Sequence, residues 1–412
     1  MIARGVQIIG NRGASRLSEE NGETSQTYRD SQQIDITDLK TDICNVVTKE
    51  KLALNAISPY YTMFPITFPL GVLRSAHPGD WVLDPFCGRG TTVFAARLLG
   101  MNAVGYDTNR VAVAITKAKL VKVKPSEIVE ECSKVLERSG RESSSMPDND
   151  FWSLAYHHDT LKQLCALRNN LLEDCETDVR IALRAIILGG LHGPLGKNTQ
   201  SYLSNQMPRT YSTKPGSAVK YWRRNTFLPE KIDLLEIVSK RSNRYFSNPP
   251  DRVLGYADLK DSRTDFSDVS ARDFKWVITS PPYLGMTTYS TDQWLREWFL
   301  GGPESPNYGG NKMFASGNQK KLRDDLTLVW KNVSKVSNTG SHLVVRFGAL
   351  PSRPYDYVST IRDSIEYANS DWEIETIKDA GVSENGQRQS SQFLERIRKS
   401  IREVDVYAKR VG

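Results

Sequence analysis

The strongest constraint on the fold is a strand, a glycine turn and a helix that follow one another near the start of the chain. The apolar run Trp81–Leu83 ends in Asp84, and Gly88 and Gly90 precede the helix-like run Val93–Leu99. Glycines in such a turn let the backbone approach a ligand closely. The pattern predicts the first βα unit of an open α/β sheet, with a ligand site at the sheet edge.

The next strand indicates what kind of ligand this is. The run Ala103–Tyr106 is followed by Asp107, and an acid at this point can hydrogen-bond ribose hydroxyls. The third glycine of a dinucleotide fingerprint is absent, because Val93 stands there, and the chain has no Gly-Lys-Ser/Thr phosphate loop. A nucleoside site is therefore predicted, with a plain structural turn as the alternative.

A second informative segment lies almost two hundred residues later. The apolar run Trp276–Thr279 ends in Ser280, Pro281, Pro282 and Tyr283. Two prolines remove two N–H donors and leave carbonyl acceptors, while the tyrosine offers a flat face for stacking. The turn suits an exocyclic amino group on a planar ring. In the alternative interpretation, the prolines simply end the strand and the tyrosine packs into the core.

Taken together, these segments resemble the amino-methylating DNA methyltransferases of the N4-cytosine type, which use S-adenosylmethionine. The family's cofactor motif resembles Asp84–Thr92, its catalytic motif resembles Ser280–Tyr283, and a segment that closes over the cofactor resembles Asn55–Pro65. The resemblance covers roughly residues 50 to 120 and 250 to 410. Serine at position 280, rather than Asp or Asn, is what favours cytosine over adenine.

The resemblance implies a set of site residues. The catalytic residues are Ser280, Pro281, Pro282 and Tyr283. The cofactor-binding residues are Tyr61, Thr62, Asp84, Pro85, Phe86, Cys87, Gly88, Gly90, Thr91, Thr92, Asp107 and Asp258, the last of these through the adenine amino group.

The remaining strands complete a seven-stranded sheet, so the predicted fold is α/β, a Rossmann-like class I methyltransferase sheet with a largely helical insert. Strands are predicted at 252–258, 274–279, 341–347, 371–377 and 403–408, and helices at 289–300 and 392–401. The aromatics at helical spacing in 289–300 are predicted to be core residues. We divide the chain into an N-terminal arm (1–45, flexible or loosely packed), a cofactor half (46–120), an insert (121–250) and a catalytic half (251–412).

The insert is the predicted target-recognition region. It has periodic helical segments at 161–172 and 179–188 and then a polar, aromatic and basic stretch typical of functional loops. Basic side chains suit phosphates, and Asn, Gln and Arg can read base edges. A solvated charged face with a structural lid is the alternative. The predicted DNA contacts are Lys197, Asn198, Ser201, Tyr202, Asn205, Gln206, Arg209, Lys214, Lys220, Arg223 and Arg224.

Composition agrees with a polyanionic partner. The formal net charge is +7 over 412 residues. The five cysteines form no C-x-x-C pair, so neither a disulfide framework nor a metal site is expected, and no apolar run is long enough for a membrane span. We expect the cytoplasm of a prokaryote, in association with the nucleoid.

The predicted function is site-specific methylation of the cytosine N4 amino group in double-stranded DNA, by base flipping and direct transfer. The alternatives are adenine-N6 methylation, methylation of RNA or of a protein amide, and a non-catalytic DNA-binding protein that keeps this fold. A cognate restriction endonuclease is a candidate partner.

Overall fold

A seven-stranded sheet organises the computed structural model, which describes residues 48–60, 64–139, 145–195, 201–208, 210–269, 272–285, 289–308, 317–350, 353–368, 372–382 and 402–412. The strand order is β3-β2-β1-β4-β5-β7-β6, with β7 antiparallel to both neighbours and the other pairings parallel. The strands are β1 Trp81–Asp84, β2 Asn102–Asp107, β3 Gly255–Leu259, β4 Phe274–Thr279, β5 His342–Gly348, β6 Trp372–Val382 and β7 Arg402–Arg410. The predicted fold class is confirmed.

Helices cover both faces of this sheet. In the described part of the chain they are α1 Lys49–Leu52, α2 Thr67–Val72, α3 Thr91–Leu98, α4 Arg110–Ala118, α5 Pro125–Ser139, α6 Asp150–Ala155, α7 His158–Glu173, α8 Asp178–Gly190, α9 Pro215–Arg224, α10 Leu234–Phe246, α11 Tyr289–Phe299, α12 Gln319–Ser334 and α13 Tyr357–Glu366. None of the helices in these segments is long and apolar enough to cross a membrane.

Strand β4 shows how the two faces are filled. Trp276 and Ile278 pack into a core cluster with α2 and α3, whereas Val277 packs into a second cluster with α12 and α13. Because successive strand residues point to opposite faces, a strand buried on both sides reads as one continuous apolar run. This explains why the sequence predicts β4 with its observed bounds.

Two predicted strands differ from the structure by three residues or more at one end. The third strand begins at Gly255, three residues later than expected, because its backbone there lies tightly against β2: a Cβ on Gly255 would lie 2.1 Å from the carbonyl oxygen of Ala103. The sixth strand continues to Val382 and contains two irregularities of register. The predicted N-terminal arm and the predicted helix at 392–401 lie outside the described residues.

The insert forms one core with helices on either side of it in the sequence. Its helices α5 to α10 share a cluster of buried side chains with α4 and α11. The ring of Trp152 lies 4.4 Å from that of Trp298, and Trp294 and Trp298 are 2% and 1% exposed. Trp294 and Trp298 are therefore core residues, as predicted, and they hold the insert against α11, the helix that follows Ser280–Tyr283.

A single arginine joins the two ends of the insert. Arg97 on α3 is 1% exposed and donates four hydrogen bonds to backbone carbonyls. Its Nη1 reaches the oxygens of Lys119 and Val121 at 2.6 and 2.9 Å. Its Nη2 and Nε reach those of Pro250 and Asp251 at 2.5 and 2.9 Å. The same guanidinium therefore binds the chain where the insert begins and where it ends.

We expect Arg97→Met to lower the free energy of unfolding by at least about 3 kcal/mol, because four buried carbonyl oxygens lose their donors. Arg97→Lys, which keeps three donors, should lose less. The matched control is Arg138→Met on the exposed surface of α5, which should change stability by less than about 0.5 kcal/mol. Urea denaturation measures all three, and equal values for Arg97→Met and Arg138→Met would contradict the assigned role.

Candidate active site

The glycine turn after β1 is built as the sequence predicts. Gly88 and Gly90 have φ angles of +49° and +75°, in the left-handed region that favours glycine. A Cβ on Gly90 would also lie 2.6 Å from Oγ1 of Thr116 on α4. Helix α3 begins directly after this turn, at Thr91. The turn therefore places glycine backbone without side chains, together with the N-terminus of α3, at the edge of the sheet where the parallel strands end.

Asp107 holds this turn in place. Its Oδ2 accepts a hydrogen bond from the N–H of Gly88 at 2.9 Å, and its Oδ1 accepts one from the N–H of Asn109 at 2.8 Å. A carboxylate has about four acceptor positions, so further contacts remain open to it. Burial raises the pKa of Asp107 to about 6, although these backbone hydrogen bonds oppose the shift. Its contact with a ribose stays a prediction.

Asp84 links the cofactor turn to the strand that carries Ser280–Tyr283. It is 1% exposed, and its Oδ1 accepts hydrogen bonds from Oγ1 of Thr279 at 2.6 Å and from the N–H of Phe86 at 3.1 Å. Burial raises its pKa to about 6, against the hydrogen bonds from Thr279 and Phe86. Two sequence motifs are thus joined by one buried hydrogen bond.

The Ser280–Tyr283 segment follows β4 at the same edge. Ser280 and Pro282 are half-buried and Pro281 is buried. Tyr283 is 6% exposed, its ring meets that of Phe347 edge-on at 5.6 Å, and its hydroxyl donates to Oε1 of Glu403 at 2.7 Å. The ring thus packs against the core, and its predicted stacking on a base stays a prediction.

The third motif, Asn55–Pro65, lies against the cofactor turn. Cε1 of Tyr60 is 3.9 Å from the position of a Cβ on Gly88, and Asn55 Oδ1 accepts a hydrogen bond from the buried ammonium of Lys119 at 2.7 Å. Burial lowers the pKa of Lys119 well below its ordinary value. Tyr61 and Thr62, the two predicted cofactor contacts in this motif, lie outside the described residues.

Asp258 occupies a more open position than the other predicted cofactor residues. It pairs with Tyr106 in the register of β3 and β2, one position before Asp107. Its side chain is 63% exposed and lies 4.0 Å from Nζ of Lys117. A contact with an adenine amino group is a prediction that the structure leaves open.

The predicted DNA contacts fall into two groups by exposure. Asn205 and Gln206 anchor the insert: the Asn205 amide donates to the Leu154 oxygen at 3.1 Å, and Gln206 is 4% exposed with its backbone oxygen bound to Nε1 of Trp222 at 3.2 Å. Tyr202 is half-buried beneath the guanidinium of Arg241, 5.7 Å from its ring centre. The exposed members are Ser201, Lys214, Lys220, Arg223 and Arg224, and Lys197, Asn198 and Arg209 lie outside the described residues.

Sequence reasoning missed two residues that the structure places beside these motifs. Thr279 could have been found, because it is a hydroxyl at the end of an otherwise apolar strand directly before Ser280. Glu403 gives no such signal, since it is 120 positions away from Tyr283 and stands in an ordinary strand pattern.

The similarity to known proteins is local. A family model described as DNA methylase matches residues 14–118. The chain is 62% identical over 29 residues to the type II methyltransferase M.MthZI of Methanothermobacter thermautotrophicus. It is 38% identical over 55 residues to the type II methyltransferase M.HinfI of Haemophilus influenzae. These matches cover 7% and 13% of this chain, and the chain spans only 8% and 15% of the two relatives.

The similarity to solved structures is weak in both TM-score and sequence identity. The rRNA methyltransferase aviRa from Streptomyces viridochromogenes has a TM-score of 0.33 at 11% identity, covering 89% of this chain and 93% of that one. TehB from Haemophilus influenzae has a TM-score of 0.31 at 9% identity, covering 85% and 64%. The fold assignment rests on the strand order. The family match supports a DNA amino-methyltransferase and supports S-adenosylmethionine as the cofactor, without separating cytosine N4 from adenine N6.

The raised pKa of Asp84 predicts how the free energy of unfolding depends on pH. A carboxyl group whose pKa rises from 3.8 to about 6 on folding favours the folded state most below pH 4, and this contribution is lost as the pH rises to 6. Asp84→Asn cannot ionise. The free energy of unfolding of the variant minus that of the wild type should therefore increase between pH 4 and pH 7, by up to about 3 kcal/mol.

Asp80→Asn is the control, because for this variant the difference in the free energy of unfolding should change with pH in the opposite direction. Burial raises the pKa of Asp80, but hydrogen bonds from the His77 N–H and from Lys275 outweigh it, so the net direction is downward. The same difference should therefore decrease only slightly from pH 4 to pH 7, because the stability change of a carboxyl with a lowered pKa lies mostly below pH 4. Urea denaturation across this range checks both, and a flat profile for Asp84→Asn would contradict its buried, raised-pKa state.

Proposed function

We propose that this chain is an S-adenosylmethionine-dependent DNA methyltransferase that modifies the exocyclic N4 amino group of cytosine in double-stranded DNA. The observation that carries the proposal is the position of Ser280–Tyr283 beside the glycine turn, joined to it by the 2.6 Å hydrogen bond between Thr279 and Asp84. Methyl transfer to a base requires a slot for the amino group and a turn that binds the nucleoside of the cofactor, both at the same edge of the sheet. The local family match supports the same reaction class.

The residues of the turn fit the proposed cofactor. Gly88 leaves its backbone open to the approach of a nucleoside, Asp107 has acceptor capacity toward a ribose, and the carboxylates of Asp84 and Asp107 complement a cationic ligand. When bound, S-adenosylmethionine supplies an electrophilic methyl group on a sulfonium. Both carboxylates would be stabilised in their ionised form by that positive charge.

The chain's own contribution to catalysis is to prepare the amino group. The nitrogen lone pair of an aromatic amine is delocalised into the ring, so the amine is a weak nucleophile. The Ser280 hydroxyl oxygen and the Pro281 carbonyl accept the two amino hydrogens and let the nitrogen turn toward tetrahedral geometry. Proximity and alignment then supply most of the rate. Serine is a weak base, so we assign the released proton to water.

The target base must leave the duplex to reach this slot. Flipping a base costs a few kcal/mol, which stacking on Tyr283 and hydrogen bonds in the slot would offset. The basic residues on and beside α9, Lys214, Lys220, Arg223 and Arg224, are exposed and suit contacts with phosphates. Arg223 is paired with Asp150 at 2.8 Å, so Lys220 and Arg224 are the better candidates for such contacts.

Adenine-N6 methylation is the second candidate, because the slot geometry serves either amine. Cytosine is favoured by Ser280 through resemblance alone. A place in a restriction-modification system, with a cognate endonuclease, belongs to the same proposal and follows the type II methyltransferases that match segments of the chain. The cytoplasm of a prokaryote is the proposed location.

The deciding experiment is mass spectrometry of nucleosides from DNA incubated with the purified protein and S-adenosylmethionine. N4-methylcytosine is the expected product, and N6-methyladenine would correct the base while keeping the mechanism. An unmodified DNA together with methylated RNA or protein would refute the DNA assignment. Failure to bind S-adenosylmethionine would indicate a non-catalytic protein.

Tyr283→Ala should separate catalysis from cofactor binding. We expect methyl transfer to fall by about 100-fold, because stacking contributes up to about 3 kcal/mol, while the Kd for S-adenosylmethionine stays within about threefold. Tyr357→Ala is the matched control, since Tyr357 packs against the same core cluster but outside the slot. Single-turnover kinetics and calorimetry measure the two quantities, and equal losses in both would argue against the slot.

Removing one positive charge from α9 should change the salt dependence of DNA binding. For Lys220→Gln or Arg224→Gln we expect the slope of log K against log salt to decrease in magnitude by about 1, because the variant neutralises one phosphate fewer. Lys331→Gln, exposed on α12 in another layer of the fold, should leave the slope unchanged. Equal slopes for all three variants and the wild type would place the DNA elsewhere.

A further inference from the structure

We propose that Glu403 is a positioning residue for the target slot and that it acts through the hydroxyl of Tyr283. This role rests on the proposed function, because the slot is the place where a planar amine would stack. Glu403 lies in β7, far from every motif in the sequence. It does not touch the reacting atoms in this scheme, and its role is to fix the plane of the tyrosine ring.

The ring of Tyr283 is fixed at two points. Phe347 meets it edge-on at 5.6 Å with an interplanar angle of 84°, and Glu403 Oε1 accepts its hydroxyl hydrogen at 2.7 Å. Packing in the core cluster limits tilting of the ring, and a charged hydrogen bond at the far end of the side chain opposes it further. Stacking depends on the plane of the ring, so the hydrogen bond to Glu403 contributes by fixing the orientation of that plane.

Strand topology explains why a residue 120 positions away reaches the slot. Strands β4 and β5 are parallel and end at the same edge, whereas β7 is antiparallel to β5 and therefore begins there. Glu403 pairs with Gly348, the last residue of β5. The start of β7 thus lies at the sheet edge where Ser280 and Tyr283 follow β4.

Glu403 is followed in β7 by a carboxylate that is paired with an arginine. Two positions along β7, Asp405 accepts two hydrogen bonds of 2.7 Å from the Arg346 guanidinium, and the two side chains are 9% and 12% exposed. Burial lowers the pKa of Arg346, but its hydrogen bonds to Asp405 and the charges of Asp405 and Glu403 outweigh this, so the net direction is upward. The positive charge of Arg346, which is paired with Asp405, therefore also acts on the carboxylate of Glu403.

The same arginine connects the slot to the N-terminal side of the site. The Arg346 guanidinium lies 3.9 Å from the centre of the Phe68 ring. Phe68 belongs to α2, which begins two residues after the motif Asn55–Pro65 ends. Contacts thus run from Phe68 to Arg346 and on to Asp405 in β7, and Glu403, two positions away in the same strand, binds the hydroxyl of Tyr283.

A double-mutant cycle tests the coupling between Tyr283 and Glu403. We expect Tyr283→Phe and Glu403→Ala each to lower kcat by about tenfold, since each removes one charged hydrogen bond. The double variant should also lose about tenfold rather than a hundredfold, because both changes remove the same interaction. KM for DNA and the Kd for S-adenosylmethionine should stay within about threefold of the wild type.

Conservative variants separate positioning from stability. Glu403→Gln keeps an acceptor oxygen at the same reach and should retain kcat within about threefold. Glu403→Asp keeps the charge beside Arg346 but shortens the side chain by one methylene, so it should lose kcat as Glu403→Ala does. If Glu403→Ala does not fold, Glu403→Asp takes its place in the cycle. The matched control is Glu373→Ala on the exposed side of β6, which should leave kcat unchanged.

The outcomes distinguish this inference from the proposed function. Additive losses, or a lower melting temperature with kcat unchanged per folded molecule, would overturn the role of Glu403 while leaving the methyltransferase assignment intact. A wild-type protein that methylates no DNA would overturn both. Loss of kcat in Glu403→Gln equal to that in Glu403→Ala would show that the acceptor oxygen is not what matters, and would also overturn it.

Discussion

The parallel pairing of β1 with β4 is the constraint on which the rest of the site depends. Leu83 pairs with Val277, so the two strands end at the same edge, and their last residues, Asp84 and Thr279, come within one hydrogen bond. This is also where the strand order reverses, the place at which open α/β sheets bind their ligands. Segments 195 positions apart thus become neighbours through strand pairing.

The insert is accommodated because its ends are fixed and its interior has a core. The entropic cost of closing a loop grows only slowly with its length, so a long excursion is tolerated if its ends are held together. Arg97 holds them by binding carbonyls from both. The insert also contacts α11 by polar bonds, since Nε1 of Trp294 donates to the Thr213 oxygen at 2.6 Å and Oγ of Ser212 donates to the Asp292 oxygen at 2.9 Å. The predicted DNA-binding region is thereby attached to the helix after the slot.

Charge is divided between the two sides of the site in a way that fits the proposed reaction. Two carboxylates with raised pKa values, the buried Asp84 and the half-buried Asp107, lie at the cofactor turn, so a cationic ligand there would be favoured. Exposed basic side chains lie on and beside α9, where a polyanion would be favoured. The Ser280–Tyr283 segment follows β4 at the sheet edge of the turn, and the hydroxyl of its tyrosine donates to Glu403 in β7. Each proposed ligand would thus meet a surface of opposite charge.

Much of the fold is predictable from local patterns, because apolar runs, paired prolines and left-handed glycines are determined by a few neighbouring residues. The strands β1, β2 and β4, the glycine turn and the aromatic face of α11 all follow in this way. Predicted strand bounds are wrong where a distant backbone decides them, as at Gly255 against Ala103. The sequence likewise does not reveal that the amide of Asn205 donates to the Leu154 oxygen or that Gln206 is 4% exposed, and their contact with DNA stays a prediction.

By itself, the sequence determined the fold class, the three motifs and the edge of the sheet at which they meet. Only the tertiary structure decided which distant side chains support them: Arg97 at both ends of the insert, Thr279 on Asp84, and Glu403 on Tyr283. The physical reason is that a turn or a strand depends on its own residues, whereas a buried hydrogen bond between strands depends on register and on sheet order. Neither of these leaves a local signal in the chain.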